Sequence, residues 1–344
     1  MNLEEIKQFV KEYDGPKMRI MEVCGSHTAA ISKHGIRGMR SPNIKLLSGP
    51  GCPVCVPPTA YVDRLVELAM TPDTCVVTFG DMLRVPGSKT SLSESAGVGA
   101  KAVMVYSPMD IIAMAEKEPQ TNFVFAAVGF ETTTPVYALL LDEVIEKGLK
   151  YVKLLTALKT MPGVIDYLCR NGAGIDGFLA PGHVAAVTGS DIFNPLAENY
   201  QIPFVVGGFE GTEILYALYE LVNERGNGEV KNCYPKVVTA EGNEKAKKMV
   251  TQYFMPADAT WRGMGSISGT GLVLRPEYRG YDAGSLLLNE DNKKNKACCC
   301  DKILMGKMSP AECPLFGKVC KPLTPQGACM VSTEGSCHSA YASM

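Results

Sequence analysis

The sequence has no surplus of charge of one sign. Its 344 residues include 34 lysines and arginines against 36 aspartates and glutamates, which gives a formal net charge of −2. A surface this balanced offers no broad positive field for a polyanion. We therefore expect no nucleic-acid partner.

Long hydrophobic runs and an export signal are also missing. Apolar stretches such as 123–128 and 204–206 fall far short of the roughly 20 residues that a membrane span requires. The segment from Met1 to Tyr13 is amphipathic and partly acidic, without the basic and apolar regions of a signal peptide. These features predict a cytoplasmic protein with reduced thiols and no membrane partner.

Nucleotide-binding signatures are weak. The sequence has no GxxxxGK(S/T) phosphate-binding loop, and the GxGxxG string from Gly172 to Gly177 precedes a predicted strand. The dinucleotide fingerprint must follow a strand and open a helix. We therefore assign no nucleotide site.

Cysteine, in contrast, is abundant. In a reducing compartment, a chain with 13 cysteines more often binds metal or carries out redox chemistry than forms a disulfide scaffold. Three cysteines lie within the first 55 residues, and seven lie between Cys298 and Cys337. These two clusters predict two sites. The remaining cysteines, which we expect to be packing residues, are Cys75, Cys169 and Cys233.

The first 230 residues alternate short apolar runs with helical patterns, which is typical of βαβ units. Gly-Phe-Glu recurs after two predicted strands, at 129–131 and 208–210, and suggests two related halves. We predict an α/β fold with two open, mostly parallel-sheet lobes facing a cleft, plus a small cysteine-rich C-terminal iron–sulfur domain. The predicted boundaries are 1–118, 119–235 and 236–344.

Candidate site residues follow the predicted strands. In open parallel sheets, ligands bind beyond the carboxyl ends of the strands. The side chains predicted to lie there are Cys24, His27, Cys52, Cys55, Asp81, Glu131, His183 and Glu210.

The Cys52-Pro53-Val54-Cys55 string lies between a predicted strand and a helix expected from Thr59 to Met70. Pro57 and Pro58 delay the start of that helix, so both thiols are expected in the loop. Thiolates in a loop suit metal capture as well as redox exchange. The alternative interpretations are half of a structural zinc site and a thioredoxin-like redox site. Together with Cys24 and His27, these thiols favour iron, zinc or copper.

The C-terminal cysteines suit a cluster. Four thiolates are what a [4Fe–4S] cube requires, and structural zinc with four cysteines is the alternative. Spacing does not decide which four of the seven bind. They are Cys298, Cys299, Cys300, Cys313, Cys320, Cys329 and Cys337.

Several strings, in this order, cover nearly the whole chain from about Lys17. They resemble the HypD family of [NiFe]-hydrogenase maturation factors. The strings that carry the resemblance are those at 22–28, 33–37, 48–55, 129–135, 181–184, 241–243, 261–263, 313–317, 327–332 and 334–337.

That resemblance implies a redox-active assembly scaffold rather than an enzyme that turns over alone. HypD-type proteins act with the small chaperone HypC. On this pair, an iron ion receives two cyanides and one carbon monoxide, giving Fe(CN)2CO for delivery to the hydrogenase large subunit. The cyanide arrives on the C-terminal cysteine of HypE, and its release draws electrons through a [4Fe–4S] cluster.

The resemblance also implies residue roles. Cys24, Cys52 and Cys55 match the thiols of the iron-assembly cleft, and Cys300 with Cys329 matches a redox-active pair. The residues that match the cluster ligands are Cys298, Cys313, Cys320 and Cys337.

Our hypothesis makes Cys24 the principal iron ligand, with His27 as a direct or outer partner. Cys52 and Cys55 form a redox pair with iron contact as a second role. The chain departs from the family pattern at Cys299, which leaves the first cluster ligand open between Cys298 and Cys299. The functional alternative is an iron–sulfur thiol–disulfide oxidoreductase, and a third possibility is a zinc scaffold.

Overall fold

The computed structural model describes residues 2–171 and 174–344. Gly172 and Ala173, which open the GxGxxG string, lie outside the described residues. Within the described ranges, no helix combines the length and the apolar character needed to cross a membrane.

Strands and helices alternate through most of the chain. The strands are β1 Met18–Glu22, β2 Ile44–Ser48, β3 Thr74–Thr78, β4 Ala102–Met104, β5 Asn122–Gly129, β6 Val152–Lys159, β7 Gly177–Pro181, β8 Phe204–Gly207, β9 Val230–Asn232, β10 Phe254–Trp261 and β11 Gly265–Leu274. The helices are α1 Leu3–Glu12, α2 Gly25–Lys33, α3 Thr59–Met70, α4 Gly80–Arg84, α5 Leu92–Ser95, α6 Asp110–Lys117, α7 Thr134–Glu146, α8 Met161–Arg170, α9 Gly182–Thr188, α10 Asn194–Tyr200, α11 Gly211–Asn223, α12 Glu244–Tyr253, α13 Cys300–Leu304 and α14 Ser336–Ala342.

The strands form two sheets. The first sheet is parallel, with the order β2-β1-β7-β8-β9. The second has the order β10-β11-β6-β5-β3-β4 and is parallel except where β11 meets β10 and β6. The prediction of a mixed α/β fold with two mostly parallel sheets is confirmed.

Neither sheet is continuous in sequence. β3 and β4, from the predicted segment 1–118, pair in the second sheet, while β7 and β8, from 119–235, join β1 in the first. The hairpin β10–β11, from 236–344, extends the second sheet. The predicted boundaries therefore do not match the sheets, because an apolar strand pattern reports burial and not the neighbour with which the strand pairs.

Alternate side chains of β5 are buried on opposite faces of the second sheet. Val124 and Ala126 belong to the apolar cluster that also contains Met21 and Phe178 of the first sheet. Phe125, on the opposite face, packs in a cluster with helices α6 and α7. Burial on both faces explains why β5 reads as a continuous apolar run.

The C-terminal cysteine segment shares the apolar cluster that joins the two sheets. Ile303, Leu304, Met330 and Val331 are buried there. This segment therefore packs onto the sheets through their common core, which brings its cysteines close to the strand ends.

Helix α2 begins at Gly25, directly after Cys24. Cys24 has extended backbone angles and precedes the helix, and its carbonyl accepts the first helical hydrogen bond from the Thr28 N–H at 3.0 Å. His27 consequently lies in the first helical turn and not on a loop. Helix α3 begins at Thr59, directly after the two prolines, as predicted.

The turn after β2 approaches the end of β1 closely. The Gly25 N–H donates to the Gly51 carbonyl at 2.9 Å, and a Cβ atom at position 51 would overlap the backbone of Val23 and Cys24. Glycine at 51 is therefore required by this contact between two backbones.

We predict that Gly51→Ala lowers the free energy of unfolding by about 1–3 kcal/mol, because the added methyl group displaces backbone atoms. The matched control is Gly38→Ala, since a Cβ at 38 meets nothing within 4 Å. Urea unfolding of both variants measures the difference. Equal stability of the two variants would contradict the assigned contact.

Candidate functional site

Strand ends from both sheets border one cavity of about 250 Å³. Cys24 and His183 come from the first sheet, and Phe130 and Thr132 come from the second. The C-terminal segment adds Glu334. A cavity that three parts of the chain build together therefore lies beyond the carboxyl ends of strands from both sheets.

Cys24 supplies a free, half-buried thiol to this cavity. Burial raises the pKa of this thiol to about 12, although backbone N–H groups of Ser26 and His27 bond to the sulfur and oppose the shift. The thiol is consequently protonated near neutral pH. A bound cation would release that proton, because metal ligation requires the thiolate.

Glu22 lies behind Cys24 and is buried. Its carboxyl group accepts from the Thr28 hydroxyl at 2.6 Å and from the Cys24 N–H at 3.2 Å. Burial raises the pKa of Glu22 to about 7, with an opposing contribution from the Arg37 charge. Glu22 therefore anchors the loop that presents the thiol.

Glu334 was not a predicted site residue. The Ser26 hydroxyl donates to its Oε1 at 2.9 Å, and a Cβ on Gly25 would come within 2.7 Å of its Oε2. Burial raises the pKa of this carboxyl group. The one sequence feature that could have identified Glu334 is its position directly before Gly335-Ser336-Cys337. Sequence spacing alone did not connect Glu334 with Cys24.

His27 does not border the cavity. The imidazole is fully buried, its Nε2–H donates to the Gly208 carbonyl at 2.9 Å, and burial lowers its pKa to about 4. The ring stacks on Phe209 at 4.6 Å between centroids, and His183 stacks on the same phenyl ring at 3.9 Å. The structure thus places His183, rather than His27, at the cavity wall.

Cys52 and Cys55 form a disulfide, with Cα atoms 5.3 Å apart, and both are buried. Their loop reaches the cavity through Gly51 and Pro53. In this state their sulfur atoms are bonded to each other, so Cys24 is the free thiol that the structure places at the cavity.

A second disulfide, Cys300–Cys329, lies close to the first. Its Cα atoms are 6.4 Å apart. The Cys55 sulfur lies 3.7 Å from the carbonyl oxygen of Ala328, the residue before Cys329. The pairing of Cys300 with Cys329 that the resemblance implies is thus present, beside the Cys52–Cys55 pair.

The four cysteines matched to cluster ligands border one small cavity next to this disulfide. Gly327 completes the wall, where a Cβ would lie 2.6 Å from the Cys298 sulfur. Four thiols around one enclosed space suit a [4Fe–4S] cluster in number and chemistry. The cysteines are Cys298, Cys313, Cys320 and Cys337.

The geometry around these thiols is not that of a preformed metal site. Throughout residues 2–171 and 174–344, no three His, Cys, Asp or Glu side chains form a group that could already hold a metal ion. Burial raises the pKa of Cys298 to about 11, and the neighbouring thiols Cys320 and Cys313 add to it. Cys299 lies near Cys313 but outside the cavity wall.

Three acidic candidates do not border the Cys24 cavity. Asp81 pairs with Arg84 at 3.5 Å, and Glu210 precedes helix α11 as part of its N-terminal cap. Glu131 accepts from the Met161 N–H at 2.7 Å while its Oε2 is buried without a partner among the described residues. Burial raises the pKa of Glu131 to about 7.

A family model described as "HypD: Hydrogenase formation hypA family" matches residues 1–344. The chain belongs to the HypD family. A protein named hydrogenase maturation factor HypD from Rhizobium leguminosarum bv. viciae is 42% identical over 336 residues, which cover 93% of this chain and 87% of that protein.

Two further HypD relatives show similar identity. Hydrogenase maturation factor HypD from Azotobacter vinelandii is 40% identical over 336 residues, covering 94% of this chain and 89% of the relative. The protein of the same name from Escherichia coli (strain K12) is 38% identical over 333 residues, covering 94% and 88%. The match therefore includes both cysteine clusters.

We predict a pH-dependent stability difference for Glu131→Gln. The amide keeps an oxygen for the Met161 N–H but does not titrate. Because the pKa of Glu131 is raised from 4.5 to about 7, the folded wild type binds this proton more tightly than the unfolded chain. Wild type should lose up to about 3 kcal/mol relative to the variant between pH 4.5 and 7.

Urea unfolding at a series of pH values measures this difference. The matched control is Glu146→Gln, on an exposed helical position. A constant difference between wild type and Glu131→Gln across the pH range would contradict the burial-driven shift.

Proposed function

We propose that this HypD family member is a [NiFe]-hydrogenase maturation scaffold. With a HypC-type chaperone, it holds an iron ion while two cyanides and one carbon monoxide are attached to make Fe(CN)2CO. The iron is the cargo, a HypE-type protein donates cyanide, and the product passes through the chaperone to the hydrogenase large subunit in the cytoplasm. The observation that carries this proposal is the free Cys24 thiol in a cavity between two sheets.

The Cys24 thiolate is the principal iron ligand. Thiolate suits Fe(II), and the N–H groups at the start of α2 stabilise its negative charge. Glu334, which accepts from the Ser26 hydroxyl, borders the same cavity and offers a carboxylate to receive the proton that Cys24 loses. Apolar walls formed by Val23 and Phe130 limit the access of water.

His183 is a better candidate than His27 for a ligand or hydrogen-bond donor to the bound cargo. It borders the cavity, whereas the His27 ring is occupied with the Gly208 carbonyl. His27 then acts on the site through Phe209, which lies between the two imidazole rings.

The two disulfides give the scaffold a path for electron pairs. Reduction of the Cys52–Cys55 disulfide consumes two electrons and two protons and yields two thiols. Cys300 and Cys329 can supply them only as a dithiol pair, so their own disulfide must first take up two single electrons from an iron–sulfur cluster and two protons from solvent. One cysteine then attacks the Cys52–Cys55 disulfide as a thiolate and the other resolves the mixed disulfide, so that two electrons and two protons end on Cys52 and Cys55 while the Cys300–Cys329 disulfide forms again. The 3.7 Å approach of the Cys55 sulfur to the Ala328 carbonyl places the two pairs side by side.

The four-cysteine cavity would hold a resident [4Fe–4S] cluster. We assign Cys298, Cys313, Cys320 and Cys337 as its ligands, because they border the cavity as free thiols, whereas Cys300 and Cys329, which also border it, are joined in a disulfide and Cys299 lies outside it. A cluster bound there would supply single electrons to the adjoining disulfide.

An iron–sulfur thiol–disulfide oxidoreductase is the second candidate, and the neighbouring disulfides favour it. Such an enzyme needs no chaperone partner and no diatomic ligands. Infrared spectroscopy of the anaerobic complex with a HypC-type partner separates the two functions, because iron-bound cyanide and carbon monoxide absorb where proteins do not. Absence of these bands from a complex that contains iron would overturn the scaffold.

We predict that Cys24→Ala abolishes hydrogenase maturation and the cyanide and carbon monoxide bands, while the brown cluster absorbance stays. The matched control is Cys75→Ala, a buried cysteine of strand β3, which should keep both properties. Maturation is measured as hydrogenase activity in cells that lack the native protein. Loss of the cluster absorbance in Cys24→Ala would contradict separate sites.

A second comparison distinguishes neighbouring cysteines. Cys298→Ala removes a thiol from the four-cysteine cavity and should bleach the cluster, with loss of iron and labile sulfide. Cys299→Ala should retain both, since its thiol lies outside the cavity wall. Iron and sulfide analysis of the anaerobic proteins measures the outcome, and the reverse pattern would assign the first ligand to Cys299.

A further inference from the structure

A separate cavity lies where strand β11 leaves strand β6. The two strands pair only at Leu158 and Lys159, and beyond that point the segment 285–289, here called the strap, covers the gap. The enclosed volume is about 80 Å³. A single water needs about 10–15 Å³ of such volume, so the cavity has room for more than one water-sized group.

Lys159 brings a buried amine to this cavity. Its side chain is 2% exposed, and its Nζ donates to the Thr260 carbonyl at 2.7 Å. The amine also lies 5.2 Å from the centroid of the Trp261 ring. An ammonium group has three N–H donors, so one carbonyl leaves two of them for a further acceptor.

No carboxylate in the described part of the chain forms an ion pair with Lys159. Asp258 is the acidic residue that borders the cavity, but its carboxylate accepts from the Ser268 hydroxyl at 2.7 Å and the Gly269 N–H at 3.0 Å. Burial lowers the pKa of Lys159 to about 7, as expected for an ammonium without a counter-ion.

We propose that this cavity binds a small carboxylate-type monoanion on the Lys159 amine. A buried charge is costly unless it is paired and hydrogen-bonded, and a carboxylate both neutralises the ammonium and accepts its free N–H groups. The neutral side chains of Thr260 and Asn289 border the same space, with the threonine hydroxyl donating to the asparagine oxygen at 2.8 Å. The proposal does not depend on the maturation function.

We place the entry of the anion into the cavity at the strap. It is attached by Ser285, whose hydroxyl oxygen accepts from the Thr156 N–H at 2.8 Å, and by Asn289 at its other end. Leu286 and Leu287 between these points are exposed, and Leu287 has a φ of 68°, which an L-residue rarely adopts. The cavity is thus bordered by a short segment that is fastened at its ends.

Isothermal titration of the full chain with sodium formate tests the proposal, with sodium chloride at equal ionic strength as the comparison. Formate should give saturable binding and chloride should give none. Lys159→Met, which keeps an unbranched side chain one atom shorter and removes the amine, should weaken formate binding by about tenfold or more. The matched control is Lys153→Met on the same strand, away from the cavity, which should bind as wild type does.

Failure of wild type to bind formate, or equal binding by Lys159→Met, would overturn the proposal. Equal binding of chloride would overturn recognition of a carboxylate. Crystals of the wild-type protein grown in formate give a measurement that does not depend on the folding of a variant. Formate within hydrogen-bond distance of the Lys159 Nζ supports the site, and a cavity with water alone overturns it.

Discussion

The structure depends on the close backbone approach that joins the ends of β1 and β2. The hydrogen bond from the Gly25 N–H to the Gly51 carbonyl fixes the start of helix α2 against the turn that leads to Cys52. Because α2 begins there, its N–H groups meet the Cys24 sulfur. The C-terminal segment then reaches the same turn through the bond from Ser26 to Glu334. A displacement of this turn would separate the thiol from both its donors and its carboxylate neighbour.

Burial governs the chemistry around this turn. Cys24, Glu22 and His27 are all shifted toward their neutral forms, chiefly because burial disfavours their charged forms. A cation that entered the cavity would therefore meet a protonated Cys24 thiol, and loss of that proton would leave one negative charge to pair with the cation. Under the proposed function, iron binding would release the Cys24 proton, and Glu334 is the neighbouring carboxylate that could receive it.

Sequence patterns were sufficient to predict individual helices and strands. They were insufficient to predict how the strands pair into sheets. The prolines at 57 and 58 fix the start of α3 whatever lies around them, and the buried run of β5 identifies a central strand. The pairing of β3 with β5, or of β7 with β1, depends on which apolar faces meet in three dimensions. Glu334 was not predicted as a site residue for the same reason, since 308 residues separate it from Ser26 in the sequence.

The positions of the cysteines were predicted only in part from the sequence. Their residue type predicted soft-metal and redox chemistry, and the family resemblance implied the pairs. Neither shows that Cys55 approaches the residue before Cys329 across 273 positions of sequence. That proximity exists because the C-terminal segment buries Met330 and Val331 in the core between the sheets. Apolar packing, rather than sulfur chemistry, thus sets the distance between the two disulfides, and the electron transfer proposed between them would depend on that core.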